Sequence, residues 1–234
     1  MNISCYNSIP GNPFAYWAGS LFKVFENNKS LSTKSIAKSG LSTGNNDLYL
    51  RLWYEVNNCE IGFDLNDNQD FLKSNKEYVP CNKGGEFRRW YGNNDYVVDW
   101  KRSDEFHRPR TTYLNYYYKP GLTWTVLTTG KFCVRYYGKG FLFDHAAASL
   151  FSNDSNDELS FIAYMNTKVA DFILNLINPT LNAGADVILR MPFIELDMFQ
   201  KCVVSNLASE NIQKCIQDWD SFETSWDFKK HPLI

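Results

Sequence analysis

The sequence is poor in histidine, in excess charge of either sign and in long apolar runs. Its 234 residues hold three histidines, and 24 Lys and Arg stand against 26 Asp and Glu, for a net charge of −2 and a pI near 5.9. A chain this close to neutral has no global basic field to pull it onto a polyanion, so any nucleic-acid affinity must come from local patches. Six cysteines (Cys5, Cys59, Cys81, Cys133, Cys202, Cys215) include no C-x-x-C pair and no neighbouring histidine cluster, which argues against a zinc site; no metal ligand set is expected. No apolar run approaches the ~20 residues that span a bilayer, and no signal peptide is visible, so the expected setting is cytoplasmic, with reduced thiols and no membrane.

What is abundant is aromatic surface, at 16% of residues and spread along the chain. That distribution favours a β-rich or α+β body over a helical bundle. The densest chemistry lies in Val79 to Trp100. A glycine turn, Lys83-Gly84-Gly85, runs into Phe87-Arg88-Arg89-Trp90-Tyr91 and then into Gly92-Asn93-Asn94, which opens the strand-like Tyr96 to Trp100. Paired glycines allow positive φ and expose backbone N–H groups, Arg forks onto guanine or phosphate, Asn onto adenine, and aromatics stack on bases. The same residues would also make a hairpin with a solvated Arg face over a packed Trp90 and Tyr91, and the residue types alone leave both readings open.

Along the chain, the turn cluster Ile9 to Pro13 precedes the aromatic run Phe14 to Trp17 and a short helix expected near residues 20–27. Lys29 to Lys38 reads as a loop or weak strand. Gly40-Leu41-Ser42-Thr43-Gly44-Asn45-Asn46-Asp47 is a second glycine-and-amide loop leading into a strand over Leu48 to Val56; with no G-K-[ST] after Gly44 it is not a nucleotide P-loop. Strand follows strand from about residue 78 to 145, including Leu122 to Leu127 and Lys131 to Tyr137. Apolar residues at three- and four-residue spacing predict one helix over 157–178, ended by Pro179, then a strand at Val187-Ile188-Leu189 and a helix over Phe193 to Asn211. The aromatic tail from Trp219 to Phe228 must dock on the body.

Catalytic signatures fail one by one. No histidine has a ligand partner at i+3 or i+4, no G-x-S-x-G occurs, and Asn178-Pro179-Thr180-Leu181 lacks the second proline and the aromatic of the motif that grips a flipped adenine. No glycine-rich loop follows a parallel-strand pattern. No catalytic residue is expected.

Taken together, the blocks Ile9 to Trp17, Gly40 to Asp47, Asn82-Lys83-Gly84-Gly85-Glu86-Phe87-Arg88-Arg89-Trp90-Tyr91-Gly92, Asn178 to Asn182 and Trp219 to Phe228 resemble the region that follows the catalytic domain in PglX-type adenine-specific DNA methyltransferases of BREX phage-defence systems, related to type II restriction enzyme methylase subunits. The resemblance runs from about residue 9 to the end. Two departures stand out, Cys81 where an aromatic is expected and Ala183-Gly184-Ala185-Asp186 where Phe-Gln-Val-Gly is usual. The resemblance implies a target recognition domain, like a DNA methylase specificity domain, whose partners are double-stranded DNA, a methyltransferase domain lying N-terminal to it and other phage-defence subunits. S-adenosylmethionine would be the parent enzyme's cofactor, with none held by this chain.

The expected fold is therefore α+β: a twisted, mainly antiparallel β body with packed helices over residues 1–190 and a helical C-terminal segment over 191–234. Lys83, Arg88, Arg89, Asn93 and Asn94 are expected to face DNA, supported by Thr43, Asn45, Asn46, Arg51, Lys131 and Arg135. Because Arg88 and Arg89 are adjacent in an extended segment, at most one should read DNA. Rival readings are a protein-docking module and a single-strand binder built on Tyr113 to Tyr118. Incubated alone with S-adenosylmethionine and mixed-sequence DNA, the chain is expected to transfer no methyl group; reproducible transfer, scored as labelled adenine, would sink this reading.

Overall fold

The computed structural model describes residues 9–10, 22–231 and 233; the expectations for 11–21 lie outside them. Two four-stranded sheets share a seam. The first has the order β2 (Ser35–Lys38), β9 (Ser149–Ser152), β6 (Gly121–Trp124), β7 (Val134–Tyr137), all antiparallel. The second has the order β3 (Leu50–Leu52), β5 (Tyr96–Asp99), β4 (Tyr78–Asn82), β8 (Leu142–Phe143), antiparallel except that β8 runs parallel to β4. A two-stranded pair, β1 (Lys29–Ser30) with β10 (Pro192–Phe193), ties the N-terminal part to the later chain. The α+β expectation, with mainly antiparallel sheets and packed helices, is borne out.

The first sheet is covered on both faces, so its strands do not alternate polar with apolar. Leu122, Trp124, Val134 and Leu150 point into a core shared with helices α4 (Ser155–Met165), α5 (Lys168–Ile177), α6 (Ala185–Leu189) and α7 (Met198–Trp219). Tyr137 and Phe151 join the second core, which is built largely of rings: Tyr49, Trp100, Phe106, Tyr117, Tyr118, Phe141 and Phe143. Tilted and edge-on pairs such as Tyr117 with Phe143, centroids 5.0 Å apart, fill it. Tyr117 and Tyr118 are thus interior residues, which removes them from any single-strand stacking platform.

Five expectations are corrected. The helix over 157–178 is two helices, because Asn166 leaves the helical path to pair with the edge of β7: its Nδ2 donates to the Val134 carbonyl (2.9 Å) and its Oδ1 accepts from the Val134 N–H (3.0 Å), both buried. Thr167 then caps α5 by accepting from Ala170 N–H. Val187 to Leu189 is helical within α6 rather than a strand, since burial of Ile188 against the helix-side core overrides the β-branched preference. The helix expected over Phe193 to Asn211 is α7, displaced toward the C-terminus to Met198–Trp219, where Asp197 and Gln200 form a reciprocal capping box. Strand β7 is shorter than the Lys131 to Tyr137 run, and only β3 survives of Leu48 to Val56, flanked by helix α2 (Asn46–Tyr49) and a 3-10 turn over Trp53–Glu55. The short N-terminal helix is α1 (Phe22–Asn27), and a further short helix, α3 (Asn68–Lys73), precedes β4.

The tail docks as expected. The Trp226 ring lies 5.2 Å from Phe63 and 5.8 Å from Phe141, and Trp53 Nε1 donates to the Thr224 carbonyl at 2.9 Å. Beside this strap, burial pushes the Tyr91 phenol up to about 12, with the Asp220 and Asp227 carboxylates adding to it, and burial likewise raises Tyr117, Tyr118, Tyr137 and Tyr164. An unfolded tyrosine titrates near ~10, so between about pH 10 and 12 the unfolded chain sheds protons that the folded chain keeps, and stability falls as pH rises. Urea midpoints should drop steeply above pH 10, and Tyr91→Phe should flatten part of that slope.

Candidate nucleic-acid interface

The loop from Lys83 to Asp95 leaves β4 in the second sheet, crosses to the first, and returns as β5. Its path requires left-handed backbone at Gly84, Gly85 and Gly92 and, unusually, at Trp90 (φ 71°) and Asn93 (φ 62°). At Gly92 a side chain has no room: an added Cβ would lie 2.3 Å from Arg88 Cδ and 2.9 Å from the Trp219 ring. The crossing is secured by backbone pairing with the edge of β7. Trp90 N–H donates to the Val134 carbonyl (2.9 Å), and Tyr136 N–H donates to the Trp90 carbonyl (2.7 Å).

This crossing decides which polar residues reach solvent. Asn93 is buried, its Nδ2 donating to the Glu86 carbonyl (2.9 Å), and Asn94 is buried beside Tyr91. Arg135 points from β7 into the seam between the sheets and is 1% exposed; its Nη2 reaches the Gly84 carbonyl at 3.4 Å, while Nε and Nη1 have no hydrogen-bond partner among the described residues. Burial lowers its pKa from the usual guanidinium value, and the half-buried Asp95, itself raised by burial, supplies nearby opposite charge. Thr43 is buried, its Oγ1 donating to Asn46 Oδ1 (2.7 Å). The expectation that Asn93, Asn94, Arg135 and Thr43 face DNA is therefore corrected: the loop crossing turns Asn93 and Asn94 inward, both faces of β7 are covered at Arg135, and Thr43 is held inward by Asn46.

Of the others, Lys83 pairs with the buried Asp144 at 2.8 Å. Arg51 folds onto the carbonyls of Asp47 (2.6 Å) and Leu50 (2.8 Å). Asn45 caps α2 by accepting from Leu48 N–H, and it stays exposed with Asn46. Arg88 and Arg89 diverge. The Arg88 guanidinium stacks 4.9 Å from the Trp219 ring centroid and sits 3.4 Å from Asp218, tying the loop to the end of α7. Arg89, resting over the Phe87 ring at 5.3 Å, lines a concavity of about 660 Å³ with Lys131, Lys168, Asp171, Phe172 and Asn175.

Sequence reasoning missed Lys168 and Asn175. The signal was there in the polar face of α5, where Lys168, Asp171, Phe172 and Asn175 share one side at i, i+3, i+4 and i+7. Lys131 joins them because Phe132 N–H reaches Asp171 Oδ1 at 3.4 Å, holding the 128–132 loop against α5. Among the ion pairs of the described residues none involves Arg89, Lys131 or Lys168. Lys168 moreover opens α5, where the helix dipole already favours an anion. Three cations without acid partners, one helix N-terminus and a single carboxylate make a local positive surface on a chain that is slightly acidic overall.

No protein-family model matches the chain. Two curated relatives align over 98% of it: adenine-specific methyltransferase BrxX of Escherichia coli O9:H4 (strain HS), 36% identical over 237 residues and 18% of that protein's length, and adenine-specific methyltransferase PglX of Lacticaseibacillus casei (strain Zhang), 34% identical over 242 residues and 20% of its length. The resemblance to PglX-type methyltransferases is borne out. The chain spans about a fifth of the length of these relatives, so it corresponds to one segment of such an enzyme.

The paired glycines do not open a strand-to-helix loop of the kind that holds a nucleotide-like cofactor. The Gly84-Gly85 turn leaves its strand into the crossing loop rather than into a helix, and the space beside the two glycines is taken by the Ala146 carbonyl and by Asn93.

The pairing of the cations has a measurable consequence. Lys83→Met should destabilise the fold by roughly 3 kcal/mol, because the buried Asp144 loses its counter-charge. Lys131→Met, in the exposed concavity, should leave the thermal midpoint unchanged; equal losses in differential scanning fluorimetry would refute this division.

Proposed function

We propose that this chain is the DNA-reading segment of a PglX-type adenine-specific methyltransferase acting in BREX phage defence, with a fold of the methylase specificity kind. The observation that carries the reading is the convergence of Arg89, Lys131 and Lys168, none paired with an acid, on one concavity beside the crossing loop. Cations left unpaired at the cost of mutual repulsion fit a partner that brings regularly spaced negative charge. In this reading the concavity grips the phosphate backbone of duplex DNA, and Asn175, beside Lys168, supplies an amide at the same place. Methyl transfer to adenine N6, and the S-adenosylmethionine it consumes, belong to the part of the enzyme outside this segment. A localisation in the cytoplasm, with the DNA, is part of the same proposal.

Arg88 has a different part in it. Held between Asp218 and Trp219, it sets the loop's position from behind and leaves the reading surface to Arg89. The Asn45, Asn46 and Arg51 group, from the start of α2 and the edge strand β3, is a second, weaker candidate surface.

The test is duplex binding by fluorescence anisotropy as a function of salt. Three phosphate contacts predict a slope of log K against log salt of about −3, and each of Arg89→Ala, Lys131→Ala and Lys168→Ala should reduce it by about one unit. Arg88→Ala should keep the slope and lose stability. Salt-independent binding, or a slope untouched by all three changes, would favour the protein-docking reading.

A further inference from the structure

Helix α7 uses only one side. Along its 22 residues, Ala208, Ile212 and Trp219 are buried and Ile216 packs against the helix-side core, while Lys201 pairs with Asp157 of α4. On the opposite side of its first half, Phe199 (77% exposed), Val203 (42%) and Leu207 (55%) stand at i, i+4 and i+8, flanked by Met198 (90%) and, just before the helix, Ile194 (49%). A contiguous apolar stripe of this size on an otherwise polar helix marks a contact surface. Residues spaced by four form the ridge that beds into the groove of another helix, so the shape specifies its occupant's type as well as its polarity.

We propose that this stripe of α7 docks an apolar helix of the methyltransferase polypeptide that flanks the present segment. The inference rests on the reading of the chain as part of a longer methyltransferase: the relatives are about five times as long as the aligned span, and in that reading the remaining polypeptide is covalently attached, hence present at high effective concentration. A lone apolar ridge needs little further affinity to be covered by such a neighbour. The geometry also separates the two tasks of the segment. Arg89, Lys131 and Lys168 form the concavity beside α5, while the stripe belongs to the outward side of α7, so the chain can hold the rest of the enzyme and DNA at the same time.

Native thiols report on this surface. Cys202 borders the stripe, one turn from Phe199 at i+3, and is exposed, and Cys59 is exposed on the second-sheet side. Treated with N-ethylmaleimide and read by mass spectrometry, the 234-residue chain should alkylate both at comparable rates. In the full-length methyltransferase carrying this segment, Cys202 should slow at least about ten-fold relative to Cys59, as protected sites do. Val203→Glu with Leu207→Glu should restore the Cys202 rate in the full-length protein, while the same pair of changes in the 234-residue chain leaves its melting temperature and its duplex binding unchanged. Equal reactivity of Cys202 in both proteins would overturn the proposal. So would protection of Cys202 that grows with the concentration of the 234-residue chain, which would assign the stripe to a second copy. Loss of duplex binding in the Arg89, Lys131 and Lys168 variants with Cys202 still protected would separate the DNA reading from this contact, and failure of either is visible without the other.

Discussion

The backbone of Val134 is the junction on which the rest of the structure depends. Its carbonyl accepts from both Trp90 N–H and Asn166 Nδ2, and its N–H donates to Asn166 Oδ1, so one residue at the edge of β7 receives the crossing loop and the break between α4 and α5. A strand edge left bare would carry unpaired donors and acceptors into a buried region, which is costly. Here the edge is closed by a side-chain amide and a loop instead of another strand. The two elements that furnish Arg89 and Lys168 are thereby brought to one residue. Without that pairing, Arg89 of the crossing loop and Lys168 of α5 would have no reason to share a concavity.

The cations of this chain sort by what they are paired with. Lys83 neutralises a buried carboxylate, Arg102 pairs with Asp99, and Arg88 is clasped by the C-terminal end of α7. Such groups have their charge satisfied within the fold and offer little to a ligand. Arg89, Lys131 and Lys168 have no ion-pair partner among the described residues, and neither do other surface cations such as Arg108, Lys119 and Lys139, but these three share one concavity. A sequence pI near 5.9 conceals this, because net charge sums over paired and unpaired groups alike. Local pairing, not composition, gives the segment a basic surface.

The aromatic wealth is put to several uses. Many rings fill the second core, where edge-to-face contacts bind Tyr117, Trp100, Phe106 and Phe143 together. Trp124, Phe132, Phe161 and Phe193 belong to the helix-side core, and others form the C-terminal strap: Trp219 beneath Arg88, and Trp226 among Trp53, Phe63 and Phe141. The strap returns α7 to the second sheet after the helix has packed on α4, and Ser225 Oγ, donating to Asp220 Oδ1 at 2.7 Å, fixes the turn that allows it. The block from Trp219 to Phe228, distinctive in the sequence, is a clamp on the fold, and it also positions the crossing loop from behind.

Much was legible in residue order alone. Glycine pairs and amide clusters marked the turns, period-two runs marked β5, β6 and β7, helical spacing marked α4 and α5, and the order of the motif blocks pointed to the methyltransferase family. These are local signals, set by backbone sterics and by the pattern of one face against another. What residue order could not tell is which face of a strand is interior when both sides are covered. Arg135, Asn93 and Asn94 look like readers in a list of residue types and are interior in the fold, because β7 has a core on one side and a second sheet on the other. The split at Asn166 was hidden for the same reason, since an amide that leaves a helix to pair with Val134 is chosen by a partner 32 residues away. Lys168 was read as part of a core-packing helix, and only the approach of Lys131 and Arg89 across the sheet edge made it part of a site. Local chemistry determined the elements of this protein; long-range pairing decided which of their charges remained available to a partner.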